Sequence, residues 1–244
     1  MPSAAETKDR RDSIRNTWAI GHSVFFIVAG PWEDIEEEYD EYEDLIWVDQ
    51  GEIYTSTSGG LTFKSYVFLG AMYDKVREAN PHVEYFFKTD DDVYVDMVEL
   101  TKALGSETND GEPLDYWGTC FDELIPQRGP GKWFVSYKTY PFAYFPPYCI
   151  GLGYAISERF LDCAVRDGHL EKVRFIPNED TAVGMLAERC NMEFPDRNSG
   201  DKRNHLTWDE EKPLTMNGKI IQHNVKRPEH MLGFHNAAED GRKK

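Results

Sequence analysis

The sequence predicts an α/β fold around a mostly parallel sheet, and two observations carry that prediction. Apolar, β-rich runs at 23–30, 45–50, 83–89 and, more weakly, 115–120 alternate with longer segments of helical character. Strand–helix–strand order of this kind makes βαβ units. The chain has 244 residues, 40% of them hydrophobic and 14% aromatic, which is enough to bury a sizeable core. Parallel sheets bind ligands beyond the carboxyl ends of their strands, so those ends are where functional residues are sought.

The elements follow in order. "SVFFIVAG" (23–30) and "LIWVDQ" (45–50) are strands. Between them "WEDIEEEYDEYEDL" (32–45) holds no Lys or Arg and reads as a solvated, helix-like surface segment. In "LTFKSYVFLGAMYDKVREAN" (61–80), Leu61, Lys64, Tyr66, Phe68, Leu69, Met72, Tyr73 and Val76 keep a broad face at helical spacing. "VEYFFKT" (83–89) is a central strand and "DYWGTC" (115–120) a weaker one. "WFVSYKTYPFAYFPPYCIGLGYAIS" (133–157) is aromatic, then glycine-rich, and reads as an irregular loop leading to a tight backbone turn. "NEDTAVGMLAERC" (178–190) opens a helix with Asn178 as its cap and Val183, Leu186 and Ala187 as its apolar stripe.

Bulk properties narrow the function classes. A formal net charge of −17 leaves no basic footprint for nucleic acid and favours a cation, or a ligand carried by one. No stretch is long and apolar enough to span a membrane, and no signal-like segment opens the chain. Cys120, Cys149, Cys163 and Cys190 lack a C-x-x-C pair, so zinc is disfavoured and disulfides are permitted in any of their possible pairings. Cys149–Cys190 is the pair to test first, since both border the expected active site.

The strand at 83–89 runs directly into Asp90, Asp91 and Asp92. Side-chain alternation sends Asp90 and Asp92 to one side and Asp91 to the other. Converging carboxylates repel unless a cation neutralises them, and carboxylate oxygen suits Mg²⁺ or Mn²⁺ in company with substrate phosphates. An EF-hand loop starting at Asp90 fails, because its sixth position is Val95 and its twelfth Thr101. A plain strand-end turn with capping aspartates is the competing explanation. Likewise Glu179 and Asp180 could serve only to complement a helix dipole.

"RRDSIRNTW" (10–18), "KTDDDVYV" (88–95), "KWFVSYKTYPFAYFPPYCIGLGYAIS" (132–157) and "NEDTAVG" (178–184) stand in the order and at intervals similar to the motifs of the beta-1,3-galactosyltransferase and Fringe family. The resemblance spans about 10–190 and extends weakly to about 232 through "IIQHNVKRPEHM". It implies a GT-A fold, a single Rossmann-like α/β domain with a mostly parallel central sheet flanked by helices. The implied domain covers 10–235, with 1–9 an N-terminal remnant and 236–244 a flexible tail.

The implied reaction is inverting transfer of galactose or an N-acetylhexosamine from a UDP-sugar to a glycan acceptor, in a beta-1,3 linkage and with Mn²⁺ or Mg²⁺. On this resemblance Asp92 ligates the metal together with Asp90 and His223, while Asp90 and Asp91 also act through the ribose or water. Asp180 is the general base, Glu179 its rival, and Arg15 and Lys64 lie by the nucleotide. Tyr148, Gly151, Gly153 and Trp133 border the sugars. The family further implies the lumenal side of the Golgi membrane, reached through an N-terminal anchor that this chain lacks.

Two departures stand out: the "TSTSGG" connection between Tyr54 and Leu61 is longer than usual, and Thr181 replaces an aliphatic residue after the acidic pair. The competing classes are an inactive carbohydrate- or cation-binding module, which needs no Asp180, and a metal-dependent phosphohydrolase, which needs more scattered His and Asp ligands.

Overall fold

The computed structural model describes residues 1–49, 59–106, 108–109, 112–192, 194, 208–209, 212–216 and 218–243. Of the longer connection before Leu61, residues 55–58 lie outside these residues. In chain order the strands are β1 Pro2–Ala4, β2 Phe26–Ala29, β3 Leu45–Val48, β4 Tyr85–Thr89, β5 Val93–Val95, β6 Thr108–Asn109, β7 Glu112–Pro113, β8 Tyr116–Phe121, β9 Tyr148–Ser157 and β10 Ile221–His223. The helices are α1 Lys8–Arg15, α2 Glu36–Tyr42, α3 Gly60–Met72, α4 Met97–Ser106, α5 Glu158–Leu161, α6 Glu179–Arg189 and α7 Pro228–Arg242. The four strands and the two long helices expected from patterning all form. The chain divides into two compact units, one of residues 1–51, 89–107 and 201–244, the other of 52–88 and 108–200.

In the first unit β1, β2 and β3 form a parallel sheet, with Pro2 opposite Ile27 and Phe26 opposite Leu45. The N-terminal ammonium donates to the Phe25 carbonyl at 2.8 Å. Residues 1–9, expected as a remnant, therefore supply a buried strand and the start of α1. The acidic run forms α2, mostly solvated as expected, but Glu38 is buried and accepts from both Nε and Nη2 of the fully buried Arg11, at 2.8 and 2.6 Å. β5 pairs antiparallel with β10. The expected flexible tail is instead the end of α7: Pro228 sits in its first turn, Met231, Phe234 and Ala238 bury one face, and Arg242 grips both oxygens of Asp96.

In the second unit β4, β9 and β8 lie side by side, with β8 and β9 antiparallel. The described strands thus do not form one mostly parallel central sheet. A parallel return needs a crossover, usually helical, and the connection from Phe121 to Tyr148 holds turns and no helix. The glycine-rich stretch read as a tight turn is itself β9.

The disulfides also differ from the pair singled out. Cys120 lies opposite Cys149 across β8–β9 and bonds to it, and Cys190 at the end of α6 bonds to Cys163. Strand register, which sequence spacing does not report, decides the first pairing.

Candidate functional site

The three aspartates follow β4 directly and take different environments. Asp91 turns inward within the first unit. Its Oδ2 accepts from Ser3 and Thr7, each at 2.8 Å, and its Oδ1 from Arg10 at 3.0 Å. Those bonds account for both carboxylate oxygens, so Asp91 braces β1 and α1 rather than presenting a ligand atom. Asp92 points to β10, where its Oδ1 lies 3.4 Å from Nε2 of His223. Backbone pairing enforces this meeting: His223 is opposite Val93 in the β5–β10 register, and the Val225 N–H donates to the Asp92 carbonyl at 2.8 Å. Burial works to raise the Asp92 pKa, but His223 outweighs it and holds the carboxyl below its usual range. Asp90 is half-buried at the head of the same turn.

Two of the expected metal ligands, Asp92 and His223, are therefore brought together. Cis donors on an octahedral Mg²⁺-sized ion stand roughly 3 Å apart, close to the separation found. Among the described residues no group of three or more His, Cys, Asp and Glu side chains could hold a metal. A two-donor site fits an ion that keeps waters and substrate phosphates in its shell.

The expected nucleotide contacts fare differently. Arg15 is held by Asp12, Glu38 and Asp44 at 2.7, 2.8 and 2.7 Å, and its guanidinium stacks on Tyr42 with its carbon 3.9 Å from the ring centre. Its donors are spent on structural carboxylates, and Arg11 and Arg10 pair with Glu38 and Asp91, so the "RRDSIR" segment belongs to a partly buried ion-pair network. Lys64 is buried on α3.

The second acidic pair lies in the second unit, at the start of α6. Asn178 caps the helix by accepting from the Thr181 N–H at 3.3 Å, which places Glu179 and Asp180 at the first two helical positions. Glu179 is buried. Its Oε1 accepts from Ser65 at 2.7 Å and Tyr154 at 3.1 Å, and its Oε2 faces the fully buried ammonium of Lys88 at 3.4 Å. Lys88 also donates to the Gly151 carbonyl at 3.0 Å. Burial alone would raise the Glu179 pKa, but Lys88 and the hydroxyl donors outweigh it and keep Glu179 ionised.

Asp180 is half-buried, and its Oδ1 crowds the same point above Gly151 as Oε2 of Glu179 and Nζ of Lys88. Burial first, and then the Glu179 charge, push its pKa well above the ordinary carboxylate range, with Lys88 opposing. Lys88, Ser65 and Tyr154 escaped sequence reading, because each is a commonplace residue inside an apolar segment.

Gly151 is required by close approach. A Cβ there would stand 2.6 Å from Asp180 Oδ1, 2.8 Å from Glu179 Oε2 and 2.9 Å from Lys88 Nζ. Gly153 lies two residues along β9, on the same face. Tyr148 packs edge-on against Phe145, and its hydroxyl is pushed up to about 12 by burial and then by the Asp180 charge. Trp133 is exposed, with the Lys132 ammonium 4.4 Å from its ring centre. The structure brings Tyr148 and Gly151 to Asp180, while Trp133 has no described contact with that pair.

The galactosyltransferase family model matches residues 9–197. The chain belongs to the galactosyltransferase family. Human "Beta-1,3-galactosyltransferase 5" is 29% identical over 205 residues, covering 78% of this chain and 61% of that protein. Rat "UDP-GalNAc:beta-1,3-N-acetylgalactosaminyltransferase 1" is 32% identical over 192 residues, covering 72% and 54%. This galactosyltransferase-family chain thus spans less than two-thirds of the length of the relatives it matches here. Among solved structures, a glycosyltransferase involved in glycosylation of the PBCV-1 major capsid aligns with 86% of the chain and 99% of its own length, at 16% identity and a TM-score of 0.37. Among the described residues of this family member, no helix is long and apolar enough to cross a membrane.

Proposed function

We propose that the chain carries the catalytic residues of an inverting beta-1,3-hexosyltransferase. It would move galactose or an N-acetylhexosamine from a UDP-sugar to a hydroxyl of a glycan acceptor. The observation that carries this reading is the division of labour at the start of α6. Glu179 is fully engaged by Ser65, Tyr154 and Lys88, whereas Asp180 stays half-buried with a basic carboxylate.

A sugar hydroxyl is a poor nucleophile until its proton is taken, and a carboxylate whose pKa is raised accepts that proton with more driving force. In the proposed step the acceptor oxygen bonds to the anomeric carbon as its proton passes to an Asp180 oxygen. The anomeric carbon–oxygen bond to UDP breaks and its electron pair leaves with the diphosphate. Asp92 and His223 would hold Mn²⁺ or Mg²⁺, which when bound offsets the charge of the diphosphate. Asp90 would assist through the ribose or water, and Tyr148 and Gly151 would line the sugar subsite beside Asp180. The family resemblance supports a location on the lumenal side of the Golgi membrane, and the two disulfides suit an oxidising compartment.

The test is UDP release from a panel of UDP-sugars with mixed acceptors, in Mn²⁺ and then in excess chelator. Metal-dependent release from one donor, abolished in Asp180→Asn while UDP still binds, is the expected result. Parental rates in Asp180→Asn would remove Asp180 from the chemistry. Binding of UDP and Mn²⁺ with no transfer from any donor would favour an inactive binding module.

A further inference from the structure

Lys88 is the least expected charge in the chain. It is fully buried, and it ties three segments together by donating to the β9 carbonyl of Gly151 at 3.0 Å while facing Glu179 of α6 at 3.4 Å from its own place on β4. A buried ion pair is weak evidence for stability, since the desolvation of both ions rivals their attraction. Its position therefore asks for another explanation. Glu179 is held just as firmly, taking Ser65 from α3 and Tyr154 from β9. The member of this group that is half-buried rather than enclosed is Asp180, whose Oδ1 converges with Glu179 Oε2 and Lys88 Nζ on Gly151, at 2.6, 2.8 and 2.9 Å from where a Cβ would stand.

Resting on the reading of Asp180 as the base, we propose that Lys88 and Glu179 are positioning residues of opposite sign: they hold the Asp180 carboxyl in place and together govern when it can accept the acceptor's proton. Neither touches substrate in this role. Among the described residues of this unit, the groups near Asp180 are Glu179 on its own helix, Lys88 on β4, Tyr116 on β8, and Tyr148, Tyr154 and Gly151 on β9. From α3, Ser65 reaches the pair through Glu179, and that helix also buries Lys64. The tyrosine hydroxyls are all raised by burial and stay neutral. Glu179 and Lys88 are therefore the charges with leverage, and they act in opposite directions: the Glu179 charge favours protonated Asp180, the Lys88 charge favours the carboxylate.

A merely structural pair would leave the acid limb of the rate where it is, and that gives the test. The Asp180 titration is followed by carbon-13 NMR of aspartate-labelled full chain, assigned by the signal lost in Asp180→Asn, alongside kcat/KM against pH. In Glu179→Gln the titration and the acid limb of the rate move down by about one pH unit or more. In Lys88→Met they move up by a similar amount. The double variant Lys88→Met/Glu179→Gln, which leaves no unpaired buried charge, returns them toward the parental position.

The NMR readout needs no turnover, so a variant with no activity still reports. If a single variant fails to fold, the double variant and the remaining single variant still set the order. Shifts in the same direction, or no shift in any folded variant, overturn the proposal. Full transfer by Asp180→Asn instead overturns the underlying assignment of the base, whatever the titrations show.

Discussion

The chain carries two pairs of adjacent acids, Asp91–Asp92 after β4 and Glu179–Asp180 at the start of α6, and each pair divides its work the same way. One member is enclosed and hydrogen-bonded: Asp91 by Ser3, Thr7 and Arg10, Glu179 by Ser65, Tyr154 and Lys88. The other is half-buried and keeps capacity for chemistry. The pairs part company in the sign of the neighbour that the presented carboxyl meets. Asp92 faces His223 and is held low, whereas Asp180 faces an ionised Glu179 and is driven high. A carboxyl kept anionic suits a cation, and one made basic suits proton abstraction. The proposed function thus turns one residue type to two tasks through its neighbours.

Substitutions at three of these acids and at the neighbouring Thr181 break or sharpen this contrast. The largest effect is expected at Asp180, where Asn should lower transfer by roughly 10²–10⁴-fold while metal-dependent UDP binding, read by calorimetry, persists. A parental rate would mean that the raised carboxyl is incidental. Next comes Asp92→Ala, expected to weaken Mn²⁺-supported UDP binding by roughly 100-fold. If chelator and the variant leave UDP affinity equal to the parent's, the Asp92–His223 pair is structural.

Asp91, the enclosed acid of the first pair, should register in stability instead. Asp91→Asn strips charge from bonds to Ser3, Thr7 and Arg10, and should cost about 2 kcal/mol in urea unfolding. An unchanged midpoint would show that this bracing is superfluous. The smallest effect is expected just beyond the second pair. Thr181 is fully buried, and its hydroxyl has no hydrogen-bond partner among the described residues. Thr181→Val keeps its shape, relieves that cost and should raise stability by about 1 kcal/mol. A loss of stability would mean that the hydroxyl is satisfied after all.

Legibility followed the range of the interactions. Local signals held: strand runs at 26–29, 45–48 and 85–89 formed where apolar patterning puts them, and Asn178 caps α6 as its position in "NEDT" predicts. Asp92 and His223 were paired as expected metal ligands through resemblance, and the β5–β10 register brings the two side chains together. Non-local pairings were hidden. Arg15 looked like a diphosphate contact because nothing in "RRDSIRNTW" announces Asp44 or Glu38 as its partners. Cys149–Cys190 was the first pair to test because both border the expected site, while the β8–β9 register and the packing at the end of α6 join the cysteines otherwise. The terminal segments looked dispensable because three-residue strands such as Pro2–Ala4 leave almost no periodic signal.

By itself, then, the sequence determined the order of strands and helices, the acidic character that turns the chain toward cations, and the motif series by which its family is known. Only the tertiary structure decided which acid of each pair is enclosed and which is presented. The physical reason is distance along the chain: Ser65 and Glu179 are 114 residues apart, and Lys88 and Glu179 are 91 apart, yet they meet within hydrogen-bonding range. A carboxyl's proton affinity answers to the charges and donors packed against it, and these come from segments that meet only when the chain folds.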